Sequence, residues 1–311
     1  MVEKKENTIA SGIASIITAC SGRKGKLPAD DLRAPKLPRG SQSAVAKAWL
    51  GRLQTAPPSE LIVASELYAG RSFRRVRDVA NLLGCRLFVV SAGLGFVDGN
   101  TAIPSYDLSL SATGHGALRQ RLTHAPRPSD WWLSLEASPF ACSLKELCSG
   151  RARILVALTQ PYAEMVAASL TTLPEFDRSR LRILGFGLKQ YIPPELHPQV
   201  IAYDDRLNQI IPGTRLDGAS RALSHFAKLV AKRPMTSAEA DQRQVDIALS
   251  MVELPVPVPR ARVSDAILAK YVARFVINGL SANSALKRLR SEMHIACEEQ
   301  RFHRLYEEAL R

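Results

Sequence analysis

The chain reads as an α/β protein with a mostly parallel sheet flanked by helices, followed by a small all-helical module. Three observations carry that expectation. The apolar, β-branched runs at 13–19, 86–90 and 153–158 are continuous instead of alternating, which is the pattern of strands buried on both faces. Amphipathic helical stretches lie between them, giving the strand, helix, strand order of a parallel sheet. Alternate prolines at 255, 257 and 259 deny both helix and central strand, and helix-forming sequence follows them to the end of the chain. The expected domains are therefore residues 1–250, a proline-rich linker over 251–260 and a helical module over 261–311.

The first strand stops abruptly at Cys20-Ser21-Gly22-Arg23-Lys24-Gly25-Lys26. Ligands in open α/β sheets bind beyond the carboxyl ends of the strands, so this loop falls where chemistry is expected. A thiol, a hydroxyl, two glycines and three cations suit an anionic, phosphate-bearing partner; the plainer reading is a solvated basic turn. Residues 27–43 hold Pro28, Pro35 and Pro38 without an apolar period and read as an irregular excursion over the surface. From Gly22 to Arg52 eight basic residues stand against two acidic ones, a net +6 around the loop. A short helix over 44–53 ends before Pro57-Pro58.

Residues 61–64 read as a second strand or a lead-in. Phe73, Val76 and Val79-Ala80 at helical spacing predict an amphipathic helix closed by Gly84, with Arg71, Arg74, Arg75 and Arg77 mostly on its other faces. The strand at 86–90 runs into Ser91-Ala92-Gly93-Leu94-Gly95-Phe96-Val97-Asp98, a second small-residue loop at a strand's carboxyl end. Residues 103–110 form an extended segment carrying Tyr106-Asp107, and a loose linker holds Trp131 and Trp132. Further strands are expected at 153–158, 181–187 and, on an edge, 200–203, with helices over about 160–172 and 215–231. In the tail, helices are expected at 263–278, at 282–293 with Ser281 as N-cap, and at 298–310. The last two, broken by His294-Ile295-Ala296, have helix-turn-helix spacing.

The 311 residues are 46% hydrophobic and 23% charged, which excludes a disordered or fibrous chain. Forty-two Lys and Arg against 29 Asp and Glu give +13, so a polyanion is the natural partner: nucleic acid, DNA first, or a nucleotide. A membrane partner is not expected, because no apolar run approaches the roughly 18 residues a span needs. Five cysteines, odd in number and without a Cys-x-x-Cys pair, indicate neither a disulfide framework nor zinc, and point to a reducing cytoplasm. No cofactor or metal is indicated; His115 and His124 have no second carboxylate at ligand spacing. Residues 1–8 read as a frayed charged end and not as a signal peptide.

Four ordered motifs over roughly residues 13–110 carry a resemblance. They are the Cys20-Ser21 loop with its lysine, Glu66-Leu67-Tyr68-x-Gly70-Arg71-Ser72-Phe73, the strand end at 90–97, and Ile103-Pro104-Ser105-Tyr106-Asp107. Together they resemble a bacterial family related to the peroxide-stress protein YaaA and, more remotely, the archaeosine synthase core domain and the uracil-DNA glycosylase fold. That resemblance implies a glycosylase-like α/β domain that handles a nucleobase. In archaeosine synthase a loop lysine attacks the nitrile of a deazaguanine base, and by position Lys24 would be that amine. The spacing here is Cys-x-x-x-Lys, with Arg23 where the archaeal pattern places its lysine. The YaaA relationship points instead to a DNA-binding protein.

Both readings stay open at each candidate residue. Lys24 is a nucleophile if its amine is neutral, and otherwise a phosphate clamp. Asp107 is an acid/base or base-edge reader, or the cap of a helix starting at Leu108. Cys20 is a reactive thiol or a small packed residue. Ser21 and Arg23 belong to the phosphate loop, Tyr68 and Tyr106 offer aromatic faces, and Arg71 holds a phosphate or carboxylate or is one solvated charge among four. Ser91, Gly93 and Gly95 form a second wall with amides facing ligand, or simply a tight strand-to-helix turn. The function expected is a nucleobase-processing enzyme, by glycosidic cleavage or deazapurine-type modification, with a function in DNA modification or phage defence. The alternative is a non-catalytic DNA-binding stress-response protein. In the tail, Lys287, Arg288, Arg290, Arg301 and Arg304 offer contacts to nucleic acid, while Val263, Ile267, Leu268, Tyr271 and Phe275 make a stripe that would pack on the α/β domain, a partner or a second copy of the chain.

Overall fold

The structure is a computed structural model that describes residues 12–110, 114, 116–125, 127–254 and 259–310. Residues 1–11, His115 and linker residues 255–258 lie outside the described residues. Two compact units, Met1–Glu253 and Leu254–Arg311, divide the chain.

The first unit is α/β with a mostly parallel sheet of six strands among the described residues. In chain order these are β1 (Ile13–Ala19), β2 (Arg86–Ser91), β3 (Gly95–Asp98), β4 (Arg153–Ala157), β5 (Leu181–Leu184) and β6 (Val200–Ile201). Across the sheet the order is β3-β2-β1-β4-β5-β6, and every pairing is parallel except β2 with β3. Ile16, Ile17, Phe88, Val89, Leu155 and Val156 are all buried, as continuous apolar strands covered on both faces must be. Register pairs Ala19 with Val90 and Thr18 with Ala157, so β1, β2 and β4 end side by side.

Helices α1 (Gln42–Gln54), α2 (Arg71–Leu83), α3 (Pro128–Leu135), α4 (Gln160–Thr171), α5 (Gly218–Val230) and α6 (Ala238–Ser250) flank the sheet. α2 buries Phe73, Val76 and Ala80 and packs on β1 and α5, whereas α3 packs on α1 and α4. Gly84, at φ +61, closes α2.

Four expectations need correction. The loop after β2 is not a strand-to-helix turn: Gly95 begins β3, and the segment is a hairpin. The tryptophan segment is not a loose linker, because Pro128 starts α3 and both Trp131 and Trp132 are buried. Residues 27–43 do not run over the surface; Leu32, Ala34 and Leu37 are buried, and two 3-10 turns, Asp30–Leu32 and Ala34–Lys36, fold them inward. No helix begins at Leu108, so Asp107 caps none. α6 was not expected at all. It is anchored by Asp241, whose carboxylate takes hydrogen bonds from Arg153 of β4 (2.8 Å) and Arg182 of β5 (2.6 Å), all three being fully buried.

The second unit holds α7 (Asp265–Ile277), α8 (Ala282–Ser291) and α9 (Glu299–Leu310). Ser281 Oγ accepts from the Ser284 amide and caps α8. The expected stripe is used inside the unit: Leu268, Val272 and Phe275 pack with Leu286, Leu289, Ile295 and Phe302, whereas Ile267 stays exposed. The unit is not all helical, because Ala261–Arg262 pairs in parallel with Ile295–Ala296 after a left-handed residue, His294, at φ +51.

Candidate functional site

The site grows from the end of β1. Its last amide bond to β2, from Cys20 N to Val90 O, is 3.0 Å, and the following loop leaves the sheet to pair antiparallel with residues 67–69. Gly25 N donates to Leu67 O, Ala69 N donates to Arg23 O, and Lys24 sits opposite Tyr68 in that ladder. A loop rich in glycine and cations is thereby held as rigidly as a strand.

The fixed backbone places the Lys24 amine 4.0 Å from the centroid of the Tyr106 ring and 5.9 Å from that of Tyr68. Tyr106 hangs from β2: its hydroxyl lies 2.7 Å from Ser91 Oγ and 3.0 Å from the Tyr68 hydroxyl, all buried. Ser91 Oγ also accepts from the Gly93 amide (3.2 Å) and the Leu94 amide (2.9 Å). Two indoles hold the same turn from outside, Trp49 donating to Gly93 O (2.6 Å) and Trp131 to Ala92 O (2.8 Å). Gly93 is required by close approach, since a Cβ there would lie 2.6 Å from the Tyr106 ring.

Asp107 is fixed through its backbone: its amide donates to Leu32 O at 2.9 Å, and its carbonyl accepts from Ala34 N at 2.8 Å. Residues 32 and 34 thus brace the Asp107 backbone, and Gly116 leaves its carboxylate room, because a Cβ there would sit 2.1 Å from Asp107 Oδ1. On the third strand end, after β4, Tyr162 in α4 brings its hydroxyl 3.3 Å from Cys20 Sγ.

Electrostatics sort these groups. Burial pushes the Lys24 amine below the ordinary lysine value of 10.5, with Cys20 and Asp107 pulling the other way. Burial pushes the hydroxyls of Tyr68 and Tyr106 well above 10, and Cys20 together with burial does the same for Tyr162. The amine is thus made easier to neutralise while the phenols keep their protons. A base and proton donors side by side are the elements of nucleophilic and acid/base chemistry.

Of the residues singled out from sequence, Cys20, Lys24, Tyr68, Ser91, Tyr106 and Asp107 come together. Ser21 and Arg23 lie in the loop between Cys20 and Lys24, Ser21 Oγ donating to Arg23 O at 2.9 Å and Arg23 exposed. Three assignments change. The Gly93 amide donates to Ser91 Oγ at 3.2 Å. Gly95 faces away, lining a separate cavity of about 750 Å³ beside Trp132 and Cys142. The carboxylate held by Arg71 is the protein's own, Asp217 at 3.0 Å, which Arg221 also binds at 3.0 Å. Sequence reasoning missed Tyr162, Trp49 and Trp131. A tyrosine directly after the Gln160-Pro161 pair that follows a strand was the available sign for Tyr162.

No protein-family model, curated protein or solved structure matches the chain. Among the described residues no helix is long and apolar enough to cross a membrane.

Proposed function

We propose that the α/β unit is a nucleobase-processing enzyme acting on nucleic acid or a nucleotide, with Lys24 as its nucleophile. One observation carries this reading: a half-buried lysine amine, depressed by burial, lies over an aromatic face at the carboxyl end of a parallel strand, next to a carboxylate. The neutral amine would attack an electrophilic carbon of the base or sugar. With a nitrile, a C–N bond forms, the nitrile nitrogen takes up the proton the amine gives away, and an amidine results with no leaving group. With a sugar C1′, the same attack expels the base, which leaves with a proton. Asp107, whose charge acts on the amine, would relay that proton. The kinship with YaaA-related proteins and a glycosylase-like fold belongs to the same proposal, supported by the parallel order of β2, β1, β4 and β5 and the loop at their common edge.

A second reading, a DNA-binding protein whose pocket only grips a phosphate or a flipped base, draws on the hydroxyls of Ser91, Tyr68 and Tyr106 being satisfied among themselves. Incubating the protein with uracil- and deazaguanine-containing oligonucleotides and nucleosides, followed by mass spectrometry, separates the two. The enzyme reading expects a released or mass-shifted base that disappears in Lys24→Ala; unchanged substrates throughout favour the binder.

A further inference from the structure

The second unit contains a cleft of about 620 Å³ lined by Arg260, Arg262, Arg290, Cys297, Glu298 and Arg301. Its geometry follows from the parallel pairing of Ala261–Arg262 with Ile295–Ala296. Arg262 lies in that short strand and Arg260 immediately precedes it, and both line the cleft.

Two of the guanidiniums are oriented without being neutralised. Arg290 donates from Nε (3.1 Å) and Nη2 (2.7 Å) to the Cys297 carbonyl, and Arg260 donates from Nε to the Arg290 carbonyl at 3.1 Å. A carbonyl fixes a guanidinium in place but leaves its full charge. Arg301 differs, because it is ion-paired with Asp265 as well as donating to the Val263 carbonyl. Arg262 has no side-chain partner among the described residues and is exposed. By contrast, Arg288 and Arg304, two of the cations expected from sequence to contact nucleic acid, are paired with Glu292 and with Asp265 and Glu308. The turn that builds the cleft passes through His294 at φ +51, a left-handed conformation uncommon for a residue other than glycine.

We propose that this cleft binds the phosphodiester backbone of nucleic acid, with Arg262 as its unpartnered guanidinium and Arg260 and Arg290, set on backbone carbonyls, as its pre-oriented ones. Planar guanidiniums match phosphate oxygens bidentately and would grip without reading base sequence. The inference rests on nucleic acid being the partner, and not on the chemistry at Lys24.

The test is a titration of fluorescent single-stranded and duplex oligonucleotides with the full chain across a range of salt. The proteins are wild type, Arg260→Ala/Arg262→Ala and Arg260→Lys/Arg262→Lys; both positions are exposed. The proposal expects weaker binding by the alanine variant and a slope of log affinity against log salt shallower by about 1.4 to 1.8. The lysine variant should recover most of the slope but not the affinity. Equal binding by the alanine variant and wild type overturns the cleft while leaving nucleic acid as partner. No binding by wild type at low salt overturns the partner as well. An alanine-variant defect confined to phosphatidylserine vesicles, with oligonucleotide binding intact, assigns the cleft to a membrane and overturns the proposal.

Discussion

Lys24 and Tyr106 meet face-on, the amine 4.0 Å from the ring centroid, and Tyr106 is itself suspended from Ser91 by a 2.7 Å hydrogen bond. The lysine that follows β1 is therefore positioned by the end of β2. Removing the Tyr106 hydroxyl tests that dependence. Tyr106→Phe takes a partner from both Ser91 and Tyr68 in a fully buried place, and should destabilise the first unit by about 1–3 kcal/mol in urea unfolding. An unchanged midpoint would mean the hydroxyl chain does not hold the site.

Gly93→Ala should act on the same contact from the other side. A Cβ 2.6 Å from the Tyr106 ring forces ring or turn to move, at a cost of about 1–3 kcal/mol. Any Lys24-dependent product should fall with it, which distinguishes displacement of the ring from a merely weaker turn.

The Arg153, Asp241 and Arg182 cluster makes a prediction about pH. Burial pushes the Asp241 carboxyl up, but hydrogen bonds from Arg153, Arg182 and Thr236 outweigh it and hold it below the usual carboxylate range. The unfolded chain then binds this proton first, so the stability that Asp241 contributes is complete above the unfolded value of 3.8 and is lost as pH falls toward the folded one. Asp241→Asn leaves two buried guanidiniums without their counter-charge and should cost about 3–5 kcal/mol at neutral pH. The gap between variant and wild type should narrow below pH 3.8 in acid unfolding.

Lys24 shows the same direction with pH but from a burial penalty on its charged form, not from a favourable pairing. Because its amine is depressed, the unfolded chain holds the proton more tightly between the folded value and 10.5, and stability rises with pH across that window. Lys24→Met should therefore melt higher than wild type at neutral pH, with the difference closing toward pH 10.5. A variant less stable at neutral pH would show that the ring face and Asp107 outweigh burial.

The strands and most flanking helices were legible because burial on both faces leaves continuous apolar runs, as at Ile16-Ile17 and Leu155-Val156. α6 was not, since its inward residues include Asp241 beside Val245 and Leu249, and a charge facing the core breaks the apolar period that announces a helix. The hairpin after β2 was hidden because small residues serve a hairpin turn and a strand-to-helix turn equally well. At the site, Cys20, Lys24 and Ser91 could be placed from the rule that strand-end loops share an edge. Tyr162 and the indoles of Trp49 and Trp131 could not, because they reach the site through tertiary hydrogen bonds that leave no mark at their own positions.

The amine of Lys24 is the centre of the account, and competitive acetylation read by mass spectrometry measures it directly. The folded protein is pulsed with trace acetic anhydride from pH 6 to 11, and the labelling of Lys24 is compared with that of exposed Lys47 and Lys287. The account predicts that Lys24 labelling rises at lower pH than that of the other two, and that Tyr106→Phe alters its profile. A Lys24 that titrates with Lys47, or above it, would contradict the proposal that this lysine is the nucleophile.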